Sequence, residues 1–148
     1  MIATVKEGRQ ARASGRLPRK RSFQCTPAGK RFEANVINSI RQAGYKPKVG
    51  ITLDHIMKLD FVLALNDEVV GVQISLRNDP IKAAAAKHCA MPLVDRFIYL
   101  TLPYEIFSNP SRRYGALLTE TVSEMLTRFR YPALFLNITR KGLYVREL

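Results

Sequence analysis

Apolar residues recur along this chain with two periods, and the periods mark out the elements. Phe32, Val36, Ile40 and Ala43 fall at helical spacing. Thr26 precedes them as an N-cap, Pro27 suits the first helical position, and Gly44 is a natural stop. Glu33 lies one turn from Val36 and Ile37, beside the apolar stripe. Residues 45–53 predict a weaker strand, interrupted by Pro47 and placed at an edge. Residues 59–65 and 69–76 predict two strong strands, with Asn66-Asp67 as a two-residue hairpin turn. Asp79 and Pro80 open a helix that runs to Ala90, and its four consecutive alanines allow close approach to a sheet. An apolar strand follows at 96–102, then a loop at 103–111. A long amphipathic helix at 113–130 has Leu117, Val122, Met125 and Phe129 on its core side. A strand at 133–139, a turn at Lys141-Gly142 and a short edge strand at 143–145 complete the pattern. This order predicts an α/β fold, a mixed central sheet flanked by helices on both faces.

Composition narrows the class. The chain has 148 residues, 47% hydrophobic and 24% charged, which suits one domain with a core. No apolar run approaches the roughly 18 residues of a membrane span, and the first residues lack a secretory apolar region. Cys25 and Cys89 stand far apart with no C-x-x-C partner, against a disulfide framework and a zinc site. The cytoplasm is the expected compartment, with no membrane partner.

Charge adds a partner. The net charge is +12, and residues 1–30 hold eight basic side chains against Glu7 alone, so +7 lies there and +5 in the other 118 residues. Residues 1–26 therefore read as a basic, disordered or loosely attached arm ahead of a single domain at 27–148. Arg16 and Arg19-Lys20-Arg21 form its densest part, with Lys30 and Arg31 following. An arm of this kind implies a polyanion, with nucleic acid first.

The hairpin concentrates the chemistry. A two-residue turn at Asn66-Asp67 puts Leu65 opposite Glu68. Leu59, Phe61, Leu63 and Leu65 then share an apolar face with Val70, Val72 and Ile74. The other face carries Lys58, Asp60, Gln73 and Ser75, with Asp60 opposite Gln73 and Lys58 opposite Ser75. Opposed Cβ atoms lie about 5 Å apart. Glu33 would join this cluster if its helix covers the same face. A carboxylate and an amide oxygen so placed would hold one Mg²⁺, and a nearby lysine would orient or deprotonate water or steady developing charge. The bland alternative is a hydrogen-bonded Asp–Gln pair at a sheet end.

The run from Lys58-Leu59-Asp60 through Leu65, followed by Val69 to Gln73-Ile74-Ser75-Leu76-Arg77, resembles the core of the PD-(D/E)XK nucleases. The resemblance covers residues 27–102 and implies an αβββαβ restriction-endonuclease-like core. The later helix and strand form a C-terminal extension. It implies Glu33 as the helix acid, Asp60 as the metal-binding aspartate, Gln73 at the second acid and Ser75 at the lysine. Those last two depart from the common pattern. The missing ammonium would then come from Lys58, or from Lys82 or Lys87 on the next helix, with Arg77 a weaker substitute because guanidinium stays protonated. The implied activity is Mg²⁺- or Mn²⁺-dependent hydrolysis of DNA, with RNA second, by an enzyme that would act as a homodimer. The alternative is a non-catalytic nucleic-acid-binding module on the same fold, and a third class is a structural or partner-binding protein.

Other candidates are weaker. His55 beside Asp54 suits a phosphate contact, whereas His88 and Cys89 are adjacent on a helix and point about 100° apart. The run Ser108-Asn109-Pro110-Ser111-Arg112-Arg113 starts the long helix with a cap followed by two arginines, either a phosphate contact or a solvated charged turn. Tyr104 and Phe107 would either stack on bases or anchor their loop. No phosphate-cradling glycine motif is present.

Overall fold

The computed structural model describes residues 5–7, 27–50, 53 and 57–148. In chain order its main elements are β1 (Val5–Glu7), α1 (Pro27–Gln42), β2 (Phe61–Leu65), β3 (Glu68–Ser75), α2 (Pro80–Ala90), β4 (Arg96–Thr101), α3 (Arg112–Arg128), β5 (Ala133–Thr139) and β6 (Gly142–Glu147). The strands form one mixed sheet in the order β1-β6-β5-β4-β3-β2. Strands β3, β4 and β5 are parallel, β2 is antiparallel to β3, β6 is antiparallel to β5, and β1 is parallel to β6. The α/β class and the mixed sheet with helices on both faces are as the pattern predicts.

Alternation along β2 and β3 divides the core. Phe61, Leu63, Val70, Val72 and Ile74 turn toward α1 and α3 and meet Phe32, Val36, Ile40, Val122 and Met125. On the other face Ala83, Ala86 and Ala90 of α2 rest on Phe97 and Tyr99, so the alanine run does permit a close approach. The two helices of the first face also touch closely. Gly115 of α3 lies against the Ser39 carbonyl of α1, where a Cβ would overlap main-chain atoms. The buried Ser39 hydroxyl donates to Asn35 O at 2.7 Å and accepts the Ser111 N–H at 2.8 Å, tying the start of α3 to α1.

The hairpin turn forms as expected. Asn66 and Asp67 adopt φ of 53° and 62°, and the register runs from Leu65 opposite Glu68 to Phe61 opposite Val72. At the far end of β4, the Arg96 guanidinium is buried. It donates to the carbonyls of Leu126, Phe129 and Tyr131 and to Glu68 at 3.1 Å, so it satisfies the carboxyl end of α3 and neutralises itself.

Several expectations need correction. Among the described residues of 45–53 there is no strand; Lys48 alone bridges Val62, because Pro47 removes a donor beside it. The segment 143–145 is not an edge: β6 is flanked by β5 and β1. Residues 1–26 are not wholly an arm, since Val5–Glu7 pairs with β6; a main-chain pairing of this kind leaves no trace in composition. The core position on α3 is Leu118 rather than Leu117, which is only half-buried. The Thr26 cap, Cys25, the Asp54–His55 pair, and Arg16, Arg19, Lys20 and Arg21 lie outside the described residues. Among the described residues no helix is long and apolar enough to cross a membrane.

Candidate functional site

Strand β2 starts two residues later than its apolar pattern suggests, and that late start shapes the site. Lys58 adopts a φ of 58°, in the left-handed region, and turns the chain over before β2. Leu59 consequently leaves the Phe61 face and is buried on the α2 side, its methyls within about 3 Å of a Cβ placed on Gly71. Gly71 is small because Leu59 and Val94 occupy the space over it.

Asp60 then sits where the ladder would continue. Its N–H donates to Val72 O at 2.8 Å, and its carboxylate accepts the Ile74 N–H at 2.5 Å. The acid thus takes the place of a main-chain carbonyl and clasps β3 on both sides of Gln73. It is 7% exposed. Asp60 does not stand directly opposite Gln73 in the ladder, which stops at Phe61; it contacts the main chain of Val72 and Ile74, the residues on either side of Gln73. The Gln73 Oε1 is buried with no hydrogen-bond partner among the described residues, a defect that costs about 1–3 kcal/mol.

The register of β3 against β4 puts Gln73 beside Tyr99 and Ser75 beside Thr101. Tyr99 completes the cluster. Burial pushes its hydroxyl up to about 12, with the charges of Asp79 and Asp60 acting the same way against a hydrogen-bonding contact to Ser75. The Ser75 hydroxyl donates to Arg77 O at 2.9 Å and accepts the Arg77 N–H at 3.0 Å, so it folds the chain at the strand end. Asp79 accepts the Ile81 and Lys82 N–H groups at 3.1 Å and caps α2 over the same face.

The expected lysines separate. Lys58 is exposed on the turned segment and does not oppose Ser75, because pairing stops at Phe61. Lys87 lies two turns down α2 and its ammonium donates to Leu148 O at 2.6 Å, at the other end of the sheet. Lys82, exposed in the first turn of α2, is the lysine on the element nearest the cluster. Glu33 does not meet its condition either. Helix α1 covers the face opposite Gln73, since Phe32 and Val36 pack with Val72 and Ile74, and Glu33 has interactions of its own.

The residues present suit a hard cation. A carboxylate and a neutral amide oxygen are oxygen donors of low total charge, which leaves most positions for water and phosphate, as Mg²⁺ prefers. Among the described residues no three His, Cys, Asp or Glu side chains gather into a metal group, so an ion here would rely on neutral oxygens such as Gln73 Oε1.

Around the same end of the sheet the surface is basic. Arg77 and Lys82 flank the start of α2, Arg112 and Arg113 open α3, and Arg140 and Lys141 form the β5–β6 turn, all exposed. Lys30 and Arg31 are exposed on the half of α1 that meets the 104–107 turn, where Phe32 stacks on Tyr104 and Asn35 donates to Phe107 O at 2.9 Å.

Reasoning from the sequence missed Tyr99, Asn78, Thr101 and Asn137. The one available signal was the alternation Phe97, Tyr99, Thr101, which puts two hydroxyls on one face of an otherwise apolar strand. Comparison with protein-family models, with curated proteins and with solved structures returns no match.

Proposed function

We propose that this protein is a metal-dependent endonuclease acting on phosphodiester bonds of DNA, built on a restriction-endonuclease-like core. The observation that carries the reading is the buried, unpartnered Gln73 Oε1 on the residue next to Ile74, whose N–H the Asp60 carboxylate accepts. The succession of α1, β2, β3, α2 and β4 supports it as an αββαβ run, with the isolated Lys48–Val62 bridge where the αβββαβ order has a first strand. Asp60 and Gln73 would hold Mg²⁺ or Mn²⁺, which when bound supplies an acidified water and charge neutralisation at phosphate. Asp60 keeps its place through the Ile74 N–H. Lys82 stands at the mouth to face the phosphate, and the Asp79 cap holds the turn that carries it. The basic rim grips the backbone on either side.

A second reading, nucleic-acid binding without cleavage, is favoured by one observation: Ser75 stands at the usual lysine position and is committed to the Arg77 turn.

The test is cleavage of supercoiled, branched and single-stranded DNA with Mg²⁺ or Mn²⁺. Asp60→Asn preserves an acceptor for Ile74 and is expected to lower cleavage by about 100-fold or more while DNA binding persists. Gln73→Glu is expected to tighten Mg²⁺ binding. Absence of cleavage on every substrate with either ion, with binding retained, would establish the second reading instead.

A further inference from the structure

A cleft of about 540 Å³ opens just beyond this centre, between the 76–78 segment, the 102–105 segment and the β5–β6 turn. Its volume lies within the roughly 300–1,000 Å³ of small-ligand sites. Thr101 lines it and pairs with Ser75, two residues past Gln73, so the cleft begins about 7 Å along the strand from the Asp60–Gln73 centre.

We infer that the cleft receives a single unpaired purine base, adenine above the others, from the DNA whose backbone the neighbouring centre engages. The inference rests on the nucleic-acid reading above and adds a substrate class to it: DNA with a base outside the duplex.

The lining favours a base over a phosphate. Among the described residues Arg140 is the cation lining the cleft, and it faces Glu105 at 3.7 Å, so the lining carries one charge of each sign. What remains is neutral: Leu102 and Ile138 for a flat apolar surface, and the amides of Asn78 and Asn137 for a hydrogen-bonding edge. Asn137 Oδ1 is taken, since it accepts from the Thr101 hydroxyl. Asn78 Oδ1 is buried with no hydrogen-bond partner among the described residues. An asparagine amide matches the amino donor and ring-nitrogen acceptor of adenine together. Oδ1 has no hydrogen bond to lose among the described residues, so a rotation about the last bond of the side chain that sets both amide atoms along the cleft wall is inexpensive. Tyr104 supplies the stacking surface: it is 43% exposed and backed by Phe32, with centroids 5.6 Å apart and planes 20° from parallel. A paired base cannot enter, because its faces are stacked inside the duplex; a bulged, branched or single-stranded one can.

The test measures binding of the full chain, in EDTA so that nothing is cut, to three DNA probes. One is a duplex with a single bulged adenine, one carries an abasic residue at that position, and one is fully paired. The bulged adenine is expected to bind about ten-fold tighter than the other two, from one base edge and one stacking contact. Asn78→Leu and Tyr104→Ala are expected to abolish that difference and to keep the wild-type affinity for the abasic probe. Equal affinity for the first two probes, or a preference that survives both variants, overturns the inference and leaves the nucleic-acid reading standing. Failure to bind any probe overturns both. Should the variants unfold, 2-aminopurine at the bulge decides with the wild-type chain: stacking on Tyr104 quenches its emission, and unchanged emission on binding refutes the base site.

Discussion

Tyr99 is the residue whose chemistry is most altered by its surroundings. Its hydroxyl is buried, faces the charges of Asp60 and Asp79, and ionises only near pH 12. A raised acid in the folded state means that, above about pH 10, the unfolded chain loses this proton while the native chain keeps it. The fold is therefore unaffected by this group below pH 10 and is weakened through the window from 10 to 12, by roughly 2–3 kcal/mol in all. Urea unfolding at pH 8 and pH 11 should show that Tyr99→Phe loses less stability between the two than the wild type. Ultraviolet titration should show one late-ionising tyrosine that the substitution removes. An identical pH dependence in the two proteins would place the Tyr99 hydroxyl in water.

At the scale of elements, the contact between α1 and α3 sets where the basic helix ends sit. Gly115 allows it, because no Cβ fits beside the Ser39 carbonyl, and the Ser39 hydroxyl pins Ser111. Gly115→Ala gains helix propensity, about 0.8–1 kcal/mol, yet must push two main chains apart. The net expectation is a loss of about 1–3 kcal/mol, read as a lower urea midpoint with unchanged slope. A stabilised Gly115→Ala would show that the helices separate freely. The β2–β3 hairpin is secured from outside itself as well, since Asn66 Nδ2 donates to Ser123 O at 3.0 Å and Asn66 Oδ1 accepts from the Ser123 hydroxyl at 2.6 Å. The hairpin register and its apolar face were legible from the period-two pattern and the Asn66-Asp67 turn. The reversal at Lys58 was not, because alternation alone continues smoothly through Leu59 and carries no sign of a positive φ.

Over the whole molecule the exposed charge of the described residues differs between the two ends of the sheet. The carboxyl ends of β3, β4 and β5 carry Arg77, Lys82, Arg112, Arg113, Arg140 and Lys141, whereas the opposite end mixes Arg128 and Arg130 with Asp67, Glu68 and Asp95. DNA binding by the first end predicts that Arg112→Glu with Arg113→Glu lowers affinity and flattens the slope of log K against log salt by about 2. The same reversal at Arg128 and Arg130 should leave the slope within error. Equal effects from the two pairs would show that charge attracts DNA without orienting it.

Local patterning determined much of this protein: helix α1 with its Gly44 stop, the hairpin and its register, the caps at Asp79 and Ser111, and the mixed α/β class. Each depends on residues within a few positions of one another, where periodicity and turn chemistry act directly. Tertiary packing decided the rest. Which face α1 covers, and so the distance of Glu33 from Gln73, depends on how Phe32 and Val36 meet a sheet far along the chain. Tyr99 reaches Ser75 only through a parallel register that α2 imposes, and Lys87 is drawn to Leu148 by strand β6 closing beside β5. These placements are sums of many weak contacts between distant segments, and no single stretch of sequence contains them.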